Sequence, residues 1–304
     1  MDTEILKGIK TFIVNADVSL TFDESQLQSL FLGGFEVYNL PELRLIPLMD
    51  QIDCLVGLFK ELILFFNIDV ANPVKPWPAF ISEVTKRHGR KVRVGVFHHE
   101  GNARLRKELE KLYLFEIQID AGCIYFERGK IPDMVKLRNV LIANEANGRR
   151  KAIRMMCSGR MNFEWGGRRL EAKVLEISVS HFLCVFRDGD PQLKDSTRLP
   201  NVQFMIGGPV FTVDAMVLIR RLAGGSSSDM VYICGFVKPG GKQIGLGAYE
   251  TDAVIRLIQH YCTDRIEEIL HGAFQKRWAL NTRAKRPEVA APAVSTRPGP
   301  TAAL

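Results

Sequence analysis

Residues 153–178, IRMMCSGRMNFEWGGRRLEAKVLEIS, decide the fold of the second half of this chain. Apolar and polar side chains alternate along Ile153–Trp165 and again along Arg168–Ser178, as they do in strands with one buried face. Gly166 and Gly167 lie between these segments, and paired glycines are typical of the tight turn of a β-hairpin. The stretch therefore predicts two antiparallel strands joined by a glycine turn.

Further short strands are predicted after the hairpin, separated by turns rich in glycine, proline and serine. They cover residues 181–186, 202–206, 211–222, 230–237 and 243–249. Six or seven short strands with frequent turns are typical of a small barrel or sandwich. Thr251 can cap a last helix whose apolar stripe runs from Val254 to Leu270, so this helix is expected to close the barrel.

The first half of the chain mixes predicted strands with amphipathic helices, the pattern of an α/β domain. The predicted strands are Lys10–Val14, Phe35–Tyr38, Lys91–Phe97, Phe115–Ile119 and Cys123–Phe126. The predicted helices are Asp23–Leu32, Asp50–Phe66, Pro78–His88, Ala103–Leu114 and residues 131–147.

The predicted fold class is therefore α+β, with two domains. An N-terminal α/β domain covers residues 1–130, and a helical linker covers 131–148. A six-stranded antiparallel β-barrel with its closing helix covers 149–274. Residues 275–304 are rich in alanine, proline and arginine without periodicity, which predicts a disordered tail.

Charge and cysteine content narrow the function classes. The 304 residues carry a net charge of +7, of which +5 lies in residues 276–304 and +2 in the rest. A nearly neutral body argues against a general nucleic-acid binder. The six cysteines are well separated and include no C-x-x-C pair, which predicts free thiols in a reducing compartment. The sequence shows no secretory signal and no apolar run long enough to cross a membrane. The expected location is therefore the cytoplasm, with no membrane span.

The densest basic cluster of the body lies where the predicted linker meets the barrel. Arg149, Arg150, Lys151, Arg154 and Arg160 place five cations within twelve residues. The arginine fork suits phosphate oxygens and the O6/N7 edge of guanine. The usual reading of such a cluster, a solvated linker, stays open on charge pattern alone.

A second polar group is predicted at the turn after the hairpin. Glu176 can accept hydrogen bonds from the N1 and N2 groups of guanine, Ser178 offers a hydroxyl to phosphate, and His181 follows three residues later. An acid-x-serine pair is common at strand ends, so it indicates a ligand site only in combination with the arginines.

Residues 149 to about 270 resemble a PilZ domain, through Arg149-Arg150-x-x-x-Arg154, the glycine hairpin, Glu176-x-Ser178-x-x-His181 and the order of strands and closing helix. In that family R-x-x-x-R and D/N-x-S-x-x-G clasp cyclic di-GMP, a bacterial second messenger. The ligand-binding residues that the resemblance implies are Arg149, Arg150, Arg154, Glu176, Ser178 and His181. Glu176 replaces Asp or Asn, and His181 replaces Gly, which strains the backbone if that position needs a positive φ.

The resemblance implies a cyclic di-GMP receptor in bacterial signalling and motility, with no cofactor, that passes a change in domain packing to an unidentified protein partner. Two alternatives stay open: a degenerate PilZ adaptor that has lost the nucleotide, and a nucleic-acid binder using the basic tail. No nucleophile, base and orienting acid assemble, so a non-enzyme is expected. His98-His99-Glu100 is not expected to bind metal, because adjacent strand histidines point to opposite faces.

Overall fold

The computed structural model of the chain describes two folded units and the helix that joins them. The described residues are 9–14, 22, 24–40, 46–72, 74–127, 133–147, 152–208, 210–223, 229–238, 241 and 244–284.

The first unit is a doubly wound parallel sheet. Its strands are β1 (Lys10–Val14), β2 (Glu36–Asn39), β3 (Leu62–Asn67), β4 (Val92–His98) and β5 (Gly122–Tyr125). Its helices are α1 (Glu24–Leu32), α2 (Leu48–Leu58), α3 (Trp77–His88), α4 (Ala103–Glu110) and α5 (Met134–Ala143). The strands lie in the order β2-β1-β3-β4-β5, all parallel, with apolar helix residues packed on both faces. The predicted α/β domain is confirmed.

The single helix predicted over Asp50–Phe66 is wrong. Helix α2 ends at Leu58, and β3 begins four residues later. Every residue of β3 is buried, because this strand lies in the middle of a parallel sheet that is covered on both faces. An uninterrupted apolar run of this kind has neither a helical nor a strand periodicity, so its spacing was misleading.

Two other local predictions differ from the structure. Residues Lys111–Glu116 form a π-helical turn that continues α4, where part of a strand over Phe115–Ile119 was predicted. Helix α5 falls within the predicted linker, but Leu137 and Leu141 are buried against the sheet. Helix α5 therefore belongs to the α/β unit, because its apolar face is buried against the sheet.

The second unit is a closed antiparallel barrel, as predicted. Its six strands are β6 (Met155–Trp165), β7 (Arg168–Ile177), β8 (His181–Phe186), β9 (Arg198–Met205), β10 (Val210–Leu222) and β11 (Met230–Val237), in the order β10-β11-β8-β7-β6-β9. Gly166 and Gly167 have φ angles of 57° and 75°, which a type I′ turn requires at both positions. Alternate residues of β6 face the interior, where Phe182, Phe204 and Phe236 pack together.

The strand predicted over 243–249 is wrong. Ile244 makes one isolated bridge to Val237, and helix α6 (Ala248–Ala284) begins four residues later; Gln243 lies outside the described residues. At its other end α6 continues past the predicted start of the tail at residue 275, because Arg277 pairs with Asp50 and Asp53 of α2. Residues 285–304 lie outside the described residues.

Helix α6 joins the two units through one continuous hydrophobic core. Val254, Ile258 and Leu270 of α6 belong to the same buried cluster as β1, α2 and the barrel interior. A buried polar group lies within this core: Lys10 Nζ is 2.8 Å from Glu36 Oε2, and the Tyr38 hydroxyl donates to that carboxylate. The barrel and the α/β unit thus share one structural helix.

Candidate functional site

Arg154 and Glu176 meet on the outer surface of the barrel. Arg154 lies directly before β6, and its Nη1 is 3.3 Å from Oε1 of Glu176, the penultimate residue of β7. The two side chains are 51% and 26% exposed, so both can reach a ligand from solvent. Arg149 and Arg150, which the sequence also predicts as ligand residues, lie outside the described residues.

Ser178 has a structural part in the turn between β7 and β8. It is 3% exposed, its hydroxyl accepts from the amide of His181, and the same hydroxyl donates to the carbonyl of His181. Its only proton is therefore directed into the turn and away from solvent. A direct bond from the Ser178 hydroxyl to phosphate would require that turn to rearrange.

His181 stands where the PilZ motif that this stretch resembles has glycine, and it does so without backbone strain. It begins β8 in extended conformation and is absent from the described residues with positive φ. Its Nδ1 lies 2.7 Å from the Ser180 hydroxyl, which fixes the ring at the turn. Burial lowers the pKa of His181, and the nearby Arg154 guanidinium lowers it further, so the neutral imidazole is favoured. The strain that the substitution threatened at the sequence level is thus not present.

A cavity of about 640 Å³ lies on the outer face of the barrel, and its lining does not include Arg154, Glu176, Ser178 or His181. One wall is the outer face of the barrel and the other is one face of α6. The barrel wall includes Met156 and Leu183, and both lie opposite Glu176 in the strand register. The volume lies within the range of ligand pockets. The Arg154–Glu176 pair therefore lies beside a space that can hold a small molecule.

The cavity carries charges that the sequence did not single out. Lys173 lies on the barrel wall, and Asp264, Arg265 and Glu268 lie on the α6 wall. Lys173 follows the outward alternation of β7, and the α6 residues are spaced at three, four and seven from Tyr261. These spacings are visible in the sequence, but the contact between α6 and β7 is not, so the two sets could not be joined.

Two features are absent from the part of the chain that the structure describes. No group of three or more His, Cys, Asp or Glu side chains there is placed to hold a metal ion. His98 is fully buried, and His99 is paired with Asp69 at 2.7 Å. Within the same residues, no helix combines the length and apolarity that crossing a membrane requires.

Comparison with known proteins gives matches among solved structures alone. No protein-family model matches the chain, and neither does any curated protein. The PilZ domain of YcgR from Escherichia coli with c-di-GMP is 14% identical, with 39% of this chain and 94% of that chain covered and a TM-score of 0.31.

Two longer proteins match over about half of their own length. The K. pneumonia MrkH–c-di-GMP complex is 17% identical, with 40% of this chain and 53% of that chain covered and a TM-score of 0.31. The Bacillus subtilis inhibitor of motility, MotI/DgrA, is 14% identical, with 40% and 52% covered and a TM-score of 0.29. The structures to which this chain is similar thus include PilZ domain proteins, the family that its motifs resemble.

Proposed function

We propose that this chain is a receptor for cyclic di-GMP and acts by binding, not by catalysis. One observation carries the proposal: Arg154, Glu176 and His181 converge on the outer surface of the barrel, where Met156 and Leu183, the strand partners of Glu176, line a cavity of about 640 Å³. The sequence adds Arg149 and Arg150 immediately upstream, in the R-x-x-x-R spacing that resembles the PilZ motif.

The side chains suit the two halves of a guanine nucleotide. The Arg154 guanidinium can bond a phosphate or lie against a purine face, and the Glu176 carboxylate can accept from guanine N1 and N2. Because the Arg154–Glu176 pair is partly exposed, exchanging it for a ligand costs little. Ser178 then supports the site by holding the turn that positions Glu176 and His181.

A calorimetric titration of the full chain tests the receptor proposal. We expect cyclic di-GMP to bind with a dissociation constant of about 1–10 µM, roughly 7–8 kcal/mol of binding free energy. Cyclic di-AMP is the matched control, because adenine lacks the N1 and N2 donors that Glu176 would accept. An absence of binding heat up to high micromolar cyclic di-GMP would contradict the proposal.

We further propose that ligand binding is passed to the α/β unit through α6. This helix forms one wall of the cavity, and twelve residues past Arg265 its Arg277 lies 2.8 Å from Asp53 and 3.2 Å from Asp50. Asp53 also pairs with Arg87 of α3 at 2.8 Å. A ligand that favours one position of α6 would therefore bias the contacts of α2 and α3, where a protein partner could read the change.

Hydrogen exchange of the full chain tests this coupling. With cyclic di-GMP we expect altered amide exchange in α2 (Leu48–Leu58), none of whose residues lines the cavity. In Arg277→Ala this distant change should shrink, while nucleotide affinity stays within about twofold, because Arg277 does not line the cavity. Identical exchange in α2 with and without nucleotide would overturn the coupling and leave the receptor proposal standing.

A second candidate is the adaptor that has lost the nucleotide. The Ser178 hydroxyl is already used within its turn, and Arg154 is already paired with Glu176, which together favour this alternative. It predicts that the titration gives no heat.

A further inference from the structure

Helix α6 presents one polar face to the cavity beside the barrel. Tyr261, Asp264, Arg265 and Glu268 line it, at the spacing that places residues on one side of a helix. None of the four belongs to the two motifs that the sequence shares with PilZ domains. The face opposite them is the outer surface of β6–β8, which includes Lys173.

Two cations therefore lie on opposite walls of the same space. Lys173 projects from the exposed face of β7, and Arg265 projects from α6. Arg265 Nη1 is 2.7 Å from Glu268 Oε2, and these side chains are 40% and 65% exposed. Ion pairs this exposed contribute little, so Arg265 can exchange Glu268 for another anion at small cost.

Tyr261 adds an aromatic surface to the cavity. Its ring lies beside Gly207 in the turn between β9 and β10, at van der Waals distance from where a Cβ would be. Burial raises the pKa of Tyr261, so the phenol stays neutral and can donate. A flat, half-buried ring next to an arginine is a common surface for a purine base.

We propose that α6 completes the nucleotide site, with Arg265 releasing Glu268 to bind a phosphate of the ligand. Lys173 faces the same ligand from the barrel, and Tyr261 lies against one of its bases. This inference rests on the proposed function, because it assumes that the ligand beside Arg154 and Glu176 is cyclic di-GMP. It assigns the nucleotide two phosphate contacts, Lys173 and Arg265, outside the sequence motifs.

Contacts from α6 and β7 would let the chain bind the nucleotide although its second motif is altered. Asp264 and Glu268 place two carboxylates on the α6 wall of the cavity. Arg265 offsets one of them in the free protein and would turn to the ligand in the complex. Glu268 then competes with the ligand for Arg265, so removing the Glu268 charge should strengthen ligand binding.

Three variants on α6 test the proposal by calorimetric titration with cyclic di-GMP. We expect Arg265→Ala to weaken binding about tenfold, the loss of one charge-assisted hydrogen bond. Glu268→Gln should strengthen binding about threefold, because it removes a competing and repelling charge. Arg256→Ala is the matched control: Arg256 also pairs within α6, with Asp252 at 2.9 Å, but does not line the cavity.

The outcomes separate this inference from the receptor proposal. If the wild-type chain binds and Arg154→Ala weakens binding while Arg265→Ala and Glu268→Gln leave it unchanged, α6 is not part of the site and the receptor proposal stands. Equal loss in Arg256→Ala and Arg265→Ala would mean a general charge effect and would also overturn the inference. No binding by the wild-type chain overturns both. Melting temperatures of the three exposed-site variants should match the wild type, which excludes misfolding as the cause.

Discussion

Arg150→Ala/Arg154→Ala is expected to weaken cyclic di-GMP binding by at least about 100-fold. Each arginine offers charge-assisted hydrogen bonds worth about 1.5–3 kcal/mol, so two together account for about 3–6 kcal/mol. Arg154 lies beside Glu176 and His181 on the outer surface of the barrel, and Arg150 precedes it in the R-x-x-x-R spacing. Calorimetry on the double variant measures the loss directly.

The matched control removes the same amount of charge from elsewhere in the chain. Arg168 and Arg169 are exposed at the glycine turn, eight and seven residues along β7 from Glu176, or at least about 23 Å at the rise of a strand. Arg168→Ala/Arg169→Ala should change affinity by no more than about twofold at physiological salt, since charges that far apart are screened. Binding that survives in Arg150→Ala/Arg154→Ala would refute the site assignment.

Lys10→Met is expected to lower the free energy of unfolding by about 3–5 kcal/mol, the cost of removing one partner of a buried ion pair. The Lys10 and Glu36 side chains are 3% and 6% exposed and lie on neighbouring strands. Without Lys10 the Glu36 carboxylate keeps the Tyr38 hydroxyl as a donor but has lost its counter-charge. Urea unfolding followed by circular dichroism measures the loss.

The pH dependence of Lys10→Met gives a second readout. Burial raises the pKa of Glu36, and Lys10 partly opposes that rise, so the variant should raise it further. A carboxyl whose pKa is higher in the folded than in the unfolded state destabilises the fold when it is ionised and not when it is protonated. The loss of stability should therefore be smallest in acid and grow as the pH rises through the folded-state pKa.

Two companion variants separate the buried charge from the side chain itself. Lys10→Met/Glu36→Leu should recover most of the stability, because apolar residues of similar volume often replace a buried pair without loss. Lys136→Met breaks an exposed pair with Asp133 on α5 and should change stability by less than about 0.5 kcal/mol. A Lys10→Met chain as stable as the wild type would show that the pair does not hold the core.

The sequence predicts secondary structure best where one face of an element is buried and the other is exposed to solvent. Strand β6 alternates inward and outward residues along most of its length, and its pattern alone predicted the hairpin. Strand β3 is buried on both faces, and its apolar run was mistaken for the end of a helix. Periodicity records contrast between two faces, so it fails where that contrast disappears.

The residues of the candidate site likewise fall into those that the sequence predicted and those that it did not. Arg154 and Glu176 could be paired from the sequence because a family motif connects them across the hairpin. Lys173 and Arg265 could not, because their shared cavity depends on where a helix that starts at residue 248 packs against the barrel. The burial of Ser178 within its own turn is likewise a matter of local backbone geometry that the motif does not encode.

The length of α6 determines how far a tilt of the helix at the barrel would displace its other end. Its 37 residues make a rod of about 55 Å, and Arg277 stands about 18 Å along the axis from Arg265. Over that arm a tilt of about 10° moves the far end by about 3 Å, as much as the whole 2.8 Å separation of Arg277 and Asp53. A small rotation of the rod at the barrel would thus be enlarged into a broken or a made contact at the α/β unit.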